Sequence, residues 1–243
     1  SRLPGVSLIR SGGEGQKVTI RGMSPKYNVM MVNGVRMQST DRNDRSVDLN
    51  MIAPNMLSGI EVTKALTADM DADAVGGTVD LMIGEAAEGF RGDFSLQVGH
   101  GSLDNTYGNH RVNAWLSNRF LDNKLGVRIS GSYDNFDRSS DILTAAYDIN
   151  RTEAEEGGLL LSELTSATIR DRITDRKRIG GGLILDYELP GGSLILQNFV
   201  SRLDEEQRVI SNTLSTESTF RASASLNEVN NTVYNNALQG EFK

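Results

Sequence analysis

The sequence has 243 residues, and 25 Lys+Arg against 32 Asp+Glu leave a formal net charge of −7. That balance argues against a nucleic-acid partner, whose phosphates must be neutralised by Lys and Arg. There is no cysteine, which excludes disulfides, thiolate zinc sites and a cysteine nucleophile, and His100 and His110 alone make no Cys/His metal cluster. No cofactor site is read, and no nucleophile–base set that would mark an enzyme. No run approaches about 18 consecutive apolar residues, so no transmembrane helix is expected. A membrane β-barrel escapes that test, because its strands cross in about 9–11 residues of alternating character. The opening Ser1-Arg2-Leu3-Pro4-Gly5 lacks a charged start running into an apolar stretch, the pattern of a protein that is not exported or of a mature fragment.

The chain divides near residue 85. Residues 1–85 predict an α+β unit of short strands and tight turns. Val18-Thr19-Ile20-Arg21-Gly22 is a β-branched run closed by glycine. Positions 28–37 predict a hairpin about Asn33-Gly34, two residues that tolerate the positive φ of a two-residue turn. Pro54 suits the first turn of a short helix running through Ser58. Ile60-Glu61-Val62-Thr63 and Thr78-Val79-Asp80-Leu81-Met82-Ile83 predict further strands.

Residues 86–243 change to long antiparallel strands of period two, about six in number. Phe94, Leu96 and Val98 alternate with polar neighbours; so do Val112, Ala114, Leu116 and Phe120. In Leu125-Gly126-Val127-Arg128-Ile129-Ser130-Gly131-Ser132-Tyr133 the apolar residues are all odd. Ile179, Leu183, Leu185, Tyr187 and Leu189 share one parity, and two noisier strands follow at 193–205 and 230–243. Leu121-Asp122-Asn123-Lys124 and Pro190-Gly191-Gly192 read as tight turns, while 138–175 and 206–229 read as long polar loops. Short turns on one side and long loops on the other suit an outer-membrane barrel. The first of these loops carries Asp141, Asp148, Glu153, Glu155, Glu156, Glu163, Asp171 and Asp175 against four arginines, a net of −4. It is a solvated extracellular loop or a cation-attracting vestibule. A soluble secreted β-sheet protein that binds glycans through this loop is the alternative. Aromatic girdles separate the two, and Phe120, Tyr133, Phe136, Tyr187 and Phe199 are the candidates near strand ends.

Other motifs carry less. Asp69, Asp71 and Asp73 have the spacing of a calcium loop, but the sixth position is Ala74 instead of Gly and the last is Asp80 instead of Glu. Turn and capping roles are preferred, and no metal site is assigned. Gly180-Gly181-Gly182 lacks the Lys-Ser/Thr of a phosphate loop. Trp115 stands on the polar parity without an evident role.

Four motifs, in order, resemble the plug domain of TonB-dependent outer-membrane receptors: Ile20-Arg21-Gly22-Met23, Val32-Asn33-Gly34-Val35, Leu57-Ser58-Gly59-Ile60-Glu61-Val62-Thr63-Lys64, and Ala74-Val75-Gly76-Gly77-Thr78-Val79-Asp80-Leu81. The alternating strands behind them fit the opening of the barrel. The stretch from Lys64 to Asp73 departs from the commoner plug and is similar to a variant subgroup associated with carbohydrates. The resemblance implies active uptake of a scarce solute, such as a carbohydrate or metal chelate, with the TonB inner-membrane complex pulling on the plug. Its TonB-binding segment would lie upstream of residue 1. About six strands cannot close a barrel whose relatives use about 22. Implied partners are TonB, outer-membrane lipid, a small solute and a surface lipoprotein. Implied ligand-facing positions are Arg21, Met37, Gln38, Ser39 and Asn55. Arg21, Glu61 and Lys64 are charges in otherwise apolar strands, expected to pair with charges inside the barrel.

Overall fold

Short β-branched runs separated by left-handed turns give the first 85 residues strands and almost no helix. The computed structural model describes residues 4–11, 14–41, 44–52, 57–65, 67, 70–102, 105–150, 161–216 and 219–242. Strands β1 (Val6–Ser11) and β2 (Glu14–Ile20) pair antiparallel, with Val6 opposite Ile20. The chain then turns on Arg21 (φ 54°) and Gly22 (φ 73°), and the Met23 N–H closes the turn on the Ile20 carbonyl at 3.0 Å. Strands β3 (Asn28–Val32) and β4 (Val35–Arg36) form the expected hairpin. Its turn residues Asn33 and Gly34 have φ of 45° and 78°, the doubly left-handed geometry of a type I′ turn.

β5 (Leu57–Thr63) and β6 (Gly77–Ile83) complete a sheet of order β4-β3-β6-β5, in which β3 runs parallel and β5 antiparallel to β6. Gly77 needs its missing side chain: at φ 134°, a Cβ there would meet the Thr63 carbonyl oxygen at 2.5 Å. The predicted α+β character reduces, among the described residues, to two 3-10 turns at Pro25–Tyr27 and Leu49–Met51. Pro54 lies outside the described residues. Leu57 and Ser58, expected in its helix, open β5 instead. Ladder pairing from Leu57 opposite Ile83 to Thr63 opposite Thr78 outweighs any local helical preference.

The remaining strands are β7 (Arg91–Gly101), β8 (Thr106–Phe120), β9 (Leu125–Asp137), β10 (Ser140–Asn150), β11 (Leu161–Leu189), β12 (Gly192–Ser215) and β13 (Phe220–Phe242). Contacts divide the chain into one unit of residues 1–136, 177–204 and 230–243 and a second of 137–176 and 205–229. In the first unit the wall strands follow the order β13-β12-β11-β9-β8-β7. Alternation decides their faces. Ile129 (57% exposed), Phe94, Leu96, Val98, Leu116, Ile179, Leu238 and Phe242 point outward, while Asn113, Ser117, Ser132, Asp134, Arg178, Asp186, Gln197 and Ser201 are buried on the other side. The inner face also supplies Ile184, Phe199 and Leu203 to a core with Ile20, Met30, Val32, Met51, Val79 and Leu81. Each such side chain contributes roughly 1.5–3 kcal/mol by burial. Phe199 and Phe136 are therefore not girdle residues. Phe199 is buried in that core, and the Phe136 ring lies 5.0 Å under the Arg111 guanidinium.

In the second unit, the supposed loop 138–175 is the β10–β11 hairpin, with Ala145 opposite Ala167. The supposed loop 206–229 is the continuation of β12 and the start of β13. Both faces of β10 meet solvent, as exposed Asp141, Leu143, Thr144, Tyr147 and Asp148 show, so burial marks neither face. Glu153, Glu155 and Glu156 lie outside the described residues.

Candidate functional site

The segment after the hairpin turn folds on its own hydroxyls. Ser39 Oγ lies 3.0, 2.7 and 3.1 Å from the carbonyls of Asp41, Asp44 and Ser46 and accepts the Asp41 N–H at 3.2 Å. The Asp48 N–H donates to Thr40 Oγ1 at 2.6 Å, and Lys17 holds Asp41 at 2.6 Å. Ser46 hydrogen bonds to the Asp44 carboxylate, keeping that acid below its ordinary pKa. Against this loop lies a cavity of about 690 Å³, lined by residues 35–41 and by 231–236 of β13. A second, of about 410 Å³, shares Arg36, Met37, Gln38 and Ser39 and adds Lys26, Arg45 and Asp73. The two cavities fall in the size range of small-molecule clefts.

The proposed ligand-facing residues thus separate. Met37, Gln38 and Ser39 come together at the cavity. Met37 is only 4% exposed and belongs to the core, its N–H bonded to the Met30 carbonyl at 2.9 Å, while Gln38 is exposed. Ser39's hydroxyl serves the loop. Arg21 sits exposed in its turn, its N–H on the Gly5 carbonyl at 2.7 Å, and lines neither cavity. Asn55 lies outside the described residues.

Two arginines neutralise the acids of the calcium-like pattern. Arg36 pairs with Asp71 and, at 3.1 Å, with Asp73; Arg45 reaches Asp73 at 2.9 Å. The Arg36 hydrogen bond and the nearby Arg45 charge hold the Asp73 carboxyl below its ordinary range. Asp69 lies outside the described residues. Among the described residues, no three His, Cys, Asp or Glu are grouped to hold a metal.

Contacts between the N-terminal sheets and the wall run through residues other than the three expected. Among the described residues, Arg21, Glu61 and Lys64 form no ion pair with the wall. Lys64 Nζ donates to the Pro4 carbonyl, and exposed Glu61 stands opposite Asp80 in the sheet. The wall supplies side-chain donors and the N-terminal part supplies backbone acceptors. Gln197 and Gln239 donate to the Asn33 carbonyl at 3.3 and 3.1 Å, and Ser201 to that of Met51. The Asn33-Gly34 turn is held further by Asp80, whose Oδ2 accepts the Gly34 N–H at 2.7 Å. Burial, aided by Glu61, nevertheless pushes the Asp80 carboxyl up. An ion pair also crosses to the wall, Arg111 to Glu14 at 3.6 Å. Arg111 also grips Asp134 at 3.0 Å, and Asp134 is shared with Arg178. Trp115, without a role from sequence, carries the Arg128 guanidinium 4.1 Å above its ring.

The family model for the TonB-dependent receptor plug domain matches residues 1–78. This chain carries a TonB-dependent receptor plug. Its location is the outer membrane. Among solved structures the chain is similar to a mutant of the ferric enterobactin receptor PfeA from Pseudomonas aeruginosa, at 15% identity and a TM-score of 0.46, over 96% of this chain and 42% of that one. It is similar to the siderophore receptor PirA from Acinetobacter baumannii at 15% identity and 0.45, over 97% and 41%. The copper transporter OprC matches at 12% identity and 0.35, over 98% and 55%. The chain therefore spans less than half the length of the PfeA and PirA chains.

Proposed function

We propose that the full-length receptor takes up a scarce small solute across the outer membrane, with residues 1–85 as its plug and 86–243 as the opening strands of its barrel. The observation that carries this reading is the 690 Å³ cavity between the plug's post-hairpin loop and β13, a built recess where a plug meets a wall. Solute would bind there, Gln38 being the plug side chain best placed to touch it; Met37 and Ser39 shape the loop, and Arg21 and Asn55 complete the ligand-facing set by resemblance. TonB and its inner-membrane complex would then draw on the plug, using the proton-motive force. No bond in the solute changes, so the protein acts as a receptor and not as an enzyme. Outer-membrane lipid surrounds the wall, and a surface lipoprotein would fit above it. The solved relatives named for siderophores and copper support solute uptake as the class of activity. The test is accumulation of candidate solutes by cells lacking the full-length gene, complemented or not, with and without a proton uncoupler. Accumulation that is independent of the receptor, or indifferent to the uncoupler, refutes it.

A further inference from the structure

Strand β10 is open along one edge. It pairs with β11 and, among the described residues, with no other strand, so the alternate N–H and C=O groups that point away from β11 have no ladder partner. Proteins blunt such edges with Lys, Pro or bulges, because a row of unpaired backbone groups is a template for another strand. β10 contains neither Lys nor Pro. A bulge interrupts it at Ala146/Tyr147, which leaves Ser140–Ala146 as a regular stretch. Within that stretch Ile142-Leu143-Thr144-Ala145-Ala146 carries no charge, and all but Ile142 are exposed.

The two parities of the stretch differ. Asp141, Leu143 and Ala145 share a face with Asp171, Ile169 and Ala167 of β11, which stand directly opposite them. Leu143 and Ile169 are 72% and 62% exposed, an apolar row that a further strand would lengthen. Asp141 and Asp171 are exposed like charges across the ladder, a pairing that costs stability until a cation joins it. Arg170 and Arg172 stand on the other parity, and Arg208 pairs with Glu206 at 2.9 Å.

We infer that β10 is the acceptor edge for an extended strand of another protein, one with alternate apolar side chains and a Lys or Arg beside Asp141. Backbone bonds along the edge supply affinity, and the apolar row with Asp141 chooses the partner. A second copy of β10 does not fit. The strand holds Asp141 and Asp148 and no Lys or Arg, so self-pairing would add acids to acids.

The test uses the full-length receptor in detergent and end-blocked, fluorescently labelled heptapeptides. The basic probe is Lys-Thr-Val-Thr-Val-Thr-Lys, which reads alike in both directions. The acidic probe has Glu at both ends, and the broken probe has Pro for the central Thr. Fluorescence anisotropy should show saturable binding of the basic probe and about fivefold weaker binding of the acidic one, the effect of an exposed charge contact. The broken probe, which lacks a ladder donor, should not bind. Amide exchange should slow at residues 140–146 when the basic probe binds. Asp141→Lys should reverse the order of the basic and acidic probes, and Leu143→Lys, an edge lysine, should abolish binding. Both positions are exposed, which favours folding of the variants; the wild-type titrations and exchange decide the matter if either variant fails to fold. No saturable binding of the basic probe, equal binding of the broken probe, or protection elsewhere than at 140–146 overturns the assignment. So does protection of 140–146 that rises with receptor concentration in the absence of probe, which would mean that a second copy takes the edge.

Discussion

Asp134→Ala tests the wall's buried charge network. The Asp134 side chain is 3% exposed and takes Arg111 Nε at 3.0 Å on one oxygen and Arg178 Nε at 3.0 Å on the other. Arg111 and Arg178 are themselves only 15% and 4% exposed. Deleting the carboxylate therefore removes the anion that both guanidinium groups share, away from water. Breaking a buried pair by removing one partner costs about 3–5 kcal/mol; the lower half of that range applies here, because Arg111 keeps Glu14 at 3.6 Å. Urea titration of the full-length receptor in detergent, followed by circular dichroism, reads the loss. Asp134→Asn keeps the shape and one acceptor oxygen, and should fall between wild type and Asp134→Ala. Asp134→Leu combined with Arg178→Met should recover stability over Asp134→Leu alone, since apolar replacement of a whole buried pair is often neutral. A shift below about 0.5 kcal/mol for Asp134→Ala, the usual effect of a surface change, refutes the reasoning.

Arg21→Gly should stabilise the plug by roughly 1 kcal/mol, because Arg21 holds a left-handed φ of 54° that glycine adopts without strain; a lower unfolding midpoint would mean that its side chain, not its backbone, matters. Gly126→Ala should destabilise by about 1–3 kcal/mol, since its Cβ would meet Asp186 Oδ1 at 2.1 Å and dislodge the carboxylate that Arg119 holds at 2.6 Å; unchanged thermal unfolding contradicts that close approach. Asp80→Asn tests the raised carboxyl. A folded-state pKa above the unfolded value gives stability present at low pH and lost as pH rises through the folded pKa. The Asn variant should therefore unfold at a higher temperature than wild type near neutral pH, with the gap closing below the ordinary value of 3.8; a gap that widens on acidification reverses the sign and rejects it.

Parity made the membrane strands legible. Odd apolar positions in β9 and even ones in β8 face outward as read, because a strand's alternation is set by its backbone and one-sided burial leaves a clean signature. That signature vanishes where both faces are wet. β10, the first half of β11 and the second half of β12 looked like loops for that reason: Asp141 and Asp148, Arg170-Asp171-Arg172, and Glu206-Gln207-Arg208 set polar groups on both faces. The aromatic girdle failed for the opposite reason. Phe199 shares parity with Gln197 and Ser201, opposite Leu196 and Val200, and its face rather than its nearness to a strand end decides what it touches.

The plug's seam with the wall was the least legible part, and its chemistry explains why. Charges in the plug point to Arg21, Glu61 and Lys64, yet the plug contributes mainly backbone carbonyls, those of Asn33 and Met51, which every residue possesses and no sequence advertises. The signal lay on the other partner, in polar side chains at inward parity: Gln197, Ser201 and Gln239. The shorter ion pairs lie within each part, Arg36 with Asp71 and Asp73 in the plug, Arg178 with Asp134 and Arg119 with Asp186 in the wall, while Arg111 reaches across to Glu14 at 3.6 Å. A neutral hydrogen bond contributes about 0.5–1.5 kcal/mol, several times less than breaking a buried pair costs. The proposed uptake cycle needs a plug that can leave the wall while both keep their own folds. The polar bonds across the seam suit such a cycle. The apolar core that Ile184, Phe199 and Leu203 share with Ile20 and Met51 must be opened as the plug leaves, and that is where pulling has to do its work.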